Sequence, residues 1–376
     1  MFRKNLKKEL DLIKNQNLYR KLKLEDNICL NFSTNDYLGL SKNNEVIKAY
    51  NDGLNYGAGA TGSRLTSGNI NHENLEETIS EFKGTEKSLV YSSGYGTNLG
   101  VISALCKKGD LVLSDELNHA SIVDGIRLSR ADKKIYSHNN MHELIEILEN
   151  SRNYENKFIV SDAVFSMDGD IAPVDELKKI ADKYNAVLIL DDAHGTGVLG
   201  KGRGTLHHFK IKPADNIIQI GTLSKAVGTV GGFVSGIEEL IEYLINTSRS
   251  FIYSTALPPA VISASIKSFE LIKSGELTDK LSKNINTANK IFKSSGFIEE
   301  EKITPIYPFI FGEDSIKISE ELLKYKIFCV GIRYPTVKRG SERIRLSITA
   351  ENKKEDFEYL CECISKIKNG WFKRYL

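Results

Sequence analysis

Short apolar runs and longer amphipathic stretches alternate along the chain. Ala186–Leu190 and Ile217–Ile220 are unbroken runs rich in Val, Ile and Leu that halt at polar or small residues, a pattern that predicts strands of a parallel sheet buried on both faces. KSLVY, DLVLS and KFIVS repeat this signature upstream, and NHENLEETISEFKG carries a helical period. Gly231-Gly232-Phe233-Val234 returns into the sheet, and RSFIYSTALPPA ends a large unit. A helical stretch from about Pro259 to Ser294 leads to a second unit: ITPIYPFIFG, the helix SIKISEELLKYKI, FCVGIRYPTV, ERIRLSITA and a closing helix to Trp371. The alternation predicts the α/β class. At the start, Leu6, Leu10, Ile13 and Leu18 punctuate a charged stretch reaching Lys23, which predicts an amphipathic helical arm that packs on a partner or on the body of the protein. The expected division is an arm and linker over 1–45, a large domain over 46–257 and a small C-terminal α/β domain over 258–376.

Reactive side chains cluster just past the apolar runs. Asp191 and His194 follow the first run; Thr222, Ser224 and Lys225 follow the second, and ligands of open parallel sheets bind beyond the carboxyl ends of the strands. Lys225 lies between Gly221 and Gly228 with no other cation before Arg249. A partly desolvated amine there would have a lowered pKa and could attack an aldehyde, of which pyridoxal 5'-phosphate is the natural example. Asp191 could then supply the anion that keeps the pyridine nitrogen protonated. Taken singly, the same residues also read as a turn-capping aspartate, a core histidine and a surface lysine.

Ser93, Gly94 and Tyr95 open a helix after a strand, so backbone N–H groups there can hold a phosphate, although tight helix packing would favour such glycines too. His119 stands beyond the next strand, where an imidazole could stack on an aromatic ring; Ser166 follows the one after. Asn35 centres a polar segment, Asn31–Ser41, that also reads as a plain loop. Arg343 and Arg345 share a strand face, either to fork a carboxylate or as solvated edge charges. Two glycine triplets, Gly57/Gly59/Gly62 and Gly195/Gly197/Gly200, match the dinucleotide fingerprint but lack its strand–turn–helix setting, which argues against nicotinamide binding.

The 376 residues are 41% hydrophobic and 27% charged, with 51 Lys+Arg against 49 Asp+Glu for a net charge of +2, so no nucleic-acid footprint is expected. Five cysteines (Cys29, Cys106, Cys329, Cys361, Cys363) without CxxC spacing argue against a disulfide framework and a metal site. The first residues lack a continuous apolar segment, and no run approaches the roughly 20 residues that span a bilayer. The expectation is a cytoplasmic protein that touches neither membrane nor nucleic acid.

NFSTNDYLGL, GSRLTSG, SSGYGTN, LNHASI, VFSMDGDIAPVDEL, DDAHGTGVLG, GTLSKAVGTVGG, YSTALPP and ERIRLSITA together resemble the α-oxoamine synthases, pyridoxal-phosphate enzymes of fold type I. The likeness runs in order from about residue 30 to 350. It implies a large cofactor-binding domain with a mostly parallel seven-stranded sheet plus a small C-terminal α/β domain. It further implies that Lys225 forms the imine, Asp191 pairs with the pyridinium nitrogen, His119 stacks on the ring, and Ser166 and His194 hold the ring hydroxyl. Ser93, Gly94, Tyr95 and Thr222 match phosphate-side positions, with Thr255 reaching the neighbouring subunit's phosphate in a homodimer. Asn35 and Arg345 match substrate-side positions. The implied reaction is a decarboxylative condensation of L-alanine with a pimeloyl thioester, carried on coenzyme A or acyl-carrier protein, in biotin biosynthesis. Glycine with acetyl-CoA is the alternative pair.

Overall fold

The computed structural model describes residues 1–16, 18–20, 22 and 30–372. Its strands are β1 (Leu30–Asn31), β2 (Lys87–Tyr91), β3 (Leu111–Asp115), β4 (Asp132–Tyr136), β5 (Lys157–Asp162), β6 (Val187–Asp191), β7 (Ile217–Thr222), β8 (Gly232–Gly236), β9 (Ile306–Ile310), β10 (Ile327–Phe328), β11 (Val330–Ile332) and β12 (Arg343–Ser347). Seven of them form one sheet in the order β2-β8-β7-β6-β5-β3-β4. Only β8 runs against its neighbours, β2 and β7; the other pairings are parallel.

The continuous apolar runs are explained by a sheet covered on both faces. Ile189, Ile218 and Ile220 join one core with Val101, Ile102 and Ile122, while Leu188, Leu190 and Ile217 join the opposite core with Leu144, Leu177 and Leu206. Alternate side chains of one strand thus feed two cores, which leaves β6 apolar up to Asp191 and β7 apolar apart from Gln219 until its end. Gly221 is required at one close approach: a Cβ there would stand 2.3 Å from the Phe233 ring on β8.

The helices before β3 are α1 (Phe2–Asn15), α2 (Asn44–Gly53), α3 (Ile70–Lys83) and α4 (Gly94–Leu105). The larger of two compact units comprises Thr34–Tyr307 and Ser347–Lys354; the smaller comprises Met1–Ser33, Pro308–Leu346 and Glu355–Leu376. This differs from the linear division expected from the sequence. The stretch expected to open the small domain forms two helices, Pro259–Ser274 and Glu276–Ser294, broken at Gly275 (φ +85°), and both belong to the larger unit because the first packs on α2 and α3.

Outside the seven-stranded sheet, β1 pairs in parallel with β10, and β11-β12-β9 form a small sheet in which β11 runs antiparallel to β12. The expected arm begins earlier and ends sooner than its apolar spacing indicated: α1 spans Phe2–Asn15 and buries none of its residues. Part of the arm's predicted C-terminal end (residues 17, 21 and 23) falls outside the described residues. Cys106, Cys329, Cys361 and Cys363 are buried, and Cys29 lies outside the described residues. Among the described residues no helix is long and apolar enough to cross a membrane.

Candidate active site

The carboxyl ends of β5, β6 and β7 and the amino ends of two helices enclose a cavity of ≈ 280 Å³ in the larger unit. Ser93, Gly94, Tyr95, His119, Ser166, Asp191, His194, Thr222 and Lys225, all expected at a site, line it. Thr255 and Asn35 do not line it, and Thr255 is exposed in the loop before Pro258. Arg345 belongs to the smaller unit.

Asp191 ends β6, in register with Asp162 at the end of β5. Its Oδ2 accepts from Asn98 Nδ2 at 2.6 Å and its Oδ1 from the Ala193 N–H at 3.0 Å. Asn98 Nδ2 also donates to Ser121 Oγ at 2.9 Å, and Ser121 Oγ stands 2.7 Å from His119 Nδ1. A chain of hydrogen bonds therefore runs from the carboxylate to the imidazole and fixes the orientation of both. Burial lowers the His119 pKa, the Lys225 cation lowers it further, and the Asp191 charge opposes them, so the imidazole is neutral near pH 7. Burial and the nearby Asp191 charge push the Asp162 carboxyl well above the usual range, against the pull of Lys225. Asp162 Oδ2 accepts the His119 backbone N–H at 3.1 Å, and Asn118 Oδ1 in turn accepts from Asp162 N at 2.8 Å.

Ser93 caps α4, its Oγ accepting from Gly96 N at 3.0 Å. The N–H groups of Gly94 and Tyr95 point out of the first turn, where a helix has no acceptors of its own. A Cβ on Gly94 would come within 3.1 Å of Thr222 Oγ1, so glycine is what lets the Thr222 hydroxyl approach this helix end. Thr222 Oγ1 is bonded to Ser224 Oγ (2.8 Å) and to the Gly231 carbonyl (2.8 Å). The Tyr95 hydroxyl is taken up by Asp124, and its ring meets His119 edge-on at 6.4 Å between centroids. His194 Nδ1 lies 2.7 Å from Tyr37 Oη, which donates to Asn35 Oδ1 at 3.2 Å, so Asn35 touches the cavity's wall through one intermediary.

Sequence reasoning missed Tyr37, Asn98, Ser121 and Asp162. Asn98 carried a signal, being the amide in the otherwise small or apolar stretch TNLGVISAL, and it is 2% exposed. Asp162 stops its apolar run as Asp191 stops its own. The expectation that Arg343 and Arg345 are solvated edge charges, where they do not face a crevice, is overturned: they are 5% and 7% exposed on β12.

An amine, a carboxylate, a neutral imidazole and a helix N-terminus beside two hydroxyls are the groups that a phosphorylated pyridine aldehyde requires. The orphaned Oδ1 of Asn98, buried without a partner in the cavity wall, adds an acceptor beside Asp191 for a cationic N–H. The donor set therefore fits pyridoxal phosphate: Lys225 and Asp191 would meet its ring, and the α4 N-terminus its phosphate.

The family model for aminotransferase class I and II matches residues 27–364. A protein of Methanococcus vannielii, provisionally named 8-amino-7-oxononanoate synthase, is 71% identical over 368 residues, 98% of this chain and 100% of its own. The 8-amino-7-oxononanoate synthase structure from Francisella tularensis is 31% identical with a TM-score of 0.79, covering 92% of this chain and 99% of the other. A variant of serine palmitoyltransferase from S. paucimobilis, solved with a bound PLP–myriocin aldimine, is 28% identical with a TM-score of 0.88 over 97% of both chains. With its mostly parallel seven-stranded sheet and these relatives, the chain is an enzyme of the α-oxoamine synthase family, pyridoxal-phosphate-dependent acyltransferases of fold type I.

Proposed function

We propose that this enzyme binds pyridoxal phosphate through Lys225 and condenses L-alanine with a pimeloyl thioester, on coenzyme A or acyl-carrier protein, releasing 8-amino-7-oxononanoate, CO2 and the free thiol for biotin synthesis. The observation that carries the reading is the meeting of Lys225, Asp191 and His119 in one cavity beyond the parallel strand ends. The names of the Methanococcus and Francisella relatives support the substrate pair.

When bound, pyridoxal phosphate supplies an aldehyde for imine formation and a cationic ring that accepts the electron pair released at the substrate Cα. Lys225 is the amine that would hold the cofactor aldehyde and, once released from it, would be the base placed to take a proton from the substrate Cα and return one. Asp191, held by Asn98 and the Ala193 N–H, would pair with the ring nitrogen and stabilise its positive charge. His119, kept neutral by burial, would stack on the ring without adding a competing charge. Ser93, the Gly94 and Tyr95 N–H groups and Thr222 would hold the phosphate; Ser166 and His194 would hold the ring hydroxyl. Asn35 and Arg345 bind the substrate, the guanidinium forking the alanine carboxylate in two parallel hydrogen bonds. The enzyme works as a cytoplasmic homodimer in which Thr255 serves the partner's phosphate.

The deciding assay pairs amino acids with thioesters and reads products by mass. Turnover of L-alanine with pimeloyl-CoA or pimeloyl-acyl-carrier protein is expected. Turnover confined to glycine with acetyl-CoA would replace this reading with 2-amino-3-oxobutyrate formation.

A further inference from the structure

We propose that the larger unit carries a second ligand site, for a phosphate-bearing anion of nucleotide size, in a cavity formed by residues 82–84, the segment 200–213 and Gln219 of β7. Its volume of ≈ 630 Å³ lies within the roughly 300–1,000 Å³ of small-molecule sites, and it shares no lining residue with the cavity of Lys225.

Its charge is one-sided. Lys201, Arg203, Lys210 and Lys212 line it, and no Asp or Glu does. Lys83 also reaches the wall, but its Nζ is already bonded to Asp192 Oδ2 (2.7 Å), Thr196 Oγ1 (3.1 Å) and the Arg203 carbonyl (3.0 Å). Cations gathered around a concave surface repel one another and raise the local concentration of anions. Lys201 and Lys210 adopt φ of +56° and +57°, a left-handed conformation that costs a lysine stability, so the loop holds two of these charges at the cavity against its own backbone preference.

Gln219 supplies an independent pointer. Its side chain lines the cavity, is 2% exposed, and its Nε2 has no hydrogen-bond partner. Its neighbours on β7 are the core residues Ile218 and Ile220, where a buried amide donor lowers stability unless something accepts from it. An anionic oxygen in the cavity would accept from that donor and neutralise the surrounding lysines. Phe82, Leu206 and Pro213 provide an apolar wall, suited to a planar organic group beside the phosphates. The chemistry shared by these features is a phosphorylated ring compound of the nucleotide class.

Isothermal titration of the full chain, loaded with pyridoxal phosphate so that the first cavity is filled, tests the site with ADP, pyrophosphate and adenosine at 0.15 M salt. ADP is expected to bind once per chain, pyrophosphate more weakly, and adenosine at least ~10-fold more weakly than ADP. Lys210→Glu with Lys212→Glu, and separately Gln219→Leu, should each weaken ADP at least ~10-fold. The lysine pair is exposed, so it carries the test even if the Gln219 variant fails to fold. Absence of ADP binding at millimolar concentration, unchanged binding in the lysine variant, or displacement of ADP by pyridoxal phosphate would each overturn the proposal.

Discussion

Asp191 owes its orientation to two neighbours, the amide of Asn98 and the backbone of Ala193, each of which donates to one of its oxygens. Asp191→Asn should retain the cofactor but lose Cα–H exchange on alanine. Removing one member of a buried ion pair costs ~3–5 kcal/mol, roughly two to four decades if it appears in the transition state. Exchange measured by NMR within tenfold of wild type would contradict the role. His138 offers a separate test at residue scale. Burial pulls its imidazolium down, but hydrogen bonds to Asp115 and Asp170 outweigh this and push its pKa up to about 10 from 6.5. Because the folded value is the higher, the contribution is complete below pH 6.5 and is lost as pH rises toward 10. The Tm gap between wild type and His138→Gln should therefore close over that window; a constant gap would contradict it. Legible residues were those that stand just past the ends of apolar runs, such as Asp191, Lys225 and His119. Tyr37 and Ser121 were hidden because their partners, His194 and Asn98, lie 157 and 23 positions away, and no local pattern encodes such a pairing.

Among elements, the tie between α3 and the loop after β6 has the clearest energetic signature. Lys83, the last residue of α3, and Asp192 are 0% and 3% exposed as side chains, and Asp192 also accepts from Thr196 Oγ1 at 3.1 Å and the Thr205 N–H at 3.1 Å. Lys83→Met should cost ~3–5 kcal/mol, since it strands a buried carboxylate. The urea midpoint should fall with the slope unchanged; a midpoint equal to wild type would contradict a structural pair. The strands were readable because both faces of the sheet are covered, which forces continuous apolar runs. Element ends were less so. Gly275 breaks the stretch 259–294 through a positive φ, which composition alone does not distinguish from a glycine tolerated inside a helix.

For the whole molecule, the linear order of segments concealed how they combine. Residues 1–33 and 308–346 share the smaller unit through the pairing of β1 with β10, and strand partners almost 300 residues apart leave no trace in a local window. Leu6, Leu10 and Ile13 on α1 are 48%, 44% and 38% exposed, an apolar stripe suited to a second subunit. Thr255 is exposed as well. If sites are shared across a dimer, mixing Lys225→Ala with Thr255→Asp protomers should restore about one quarter of wild-type activity, since half the dimers are mixed and each rebuilds one of two sites. No recovery after verified subunit exchange, or an active monomer in sedimentation, would contradict shared sites.

The central claim is that Lys225 is the residue joined to the cofactor. Borohydride reduction of the protein loaded with pyridoxal phosphate, followed by peptide mass mapping, reads that bond directly. A single pyridoxyl adduct is expected on the peptide containing Thr222, Ser224 and Lys225, absent from Lys225→Ala. An adduct on a different lysine, or one that persists in Lys225→Ala, would contradict it.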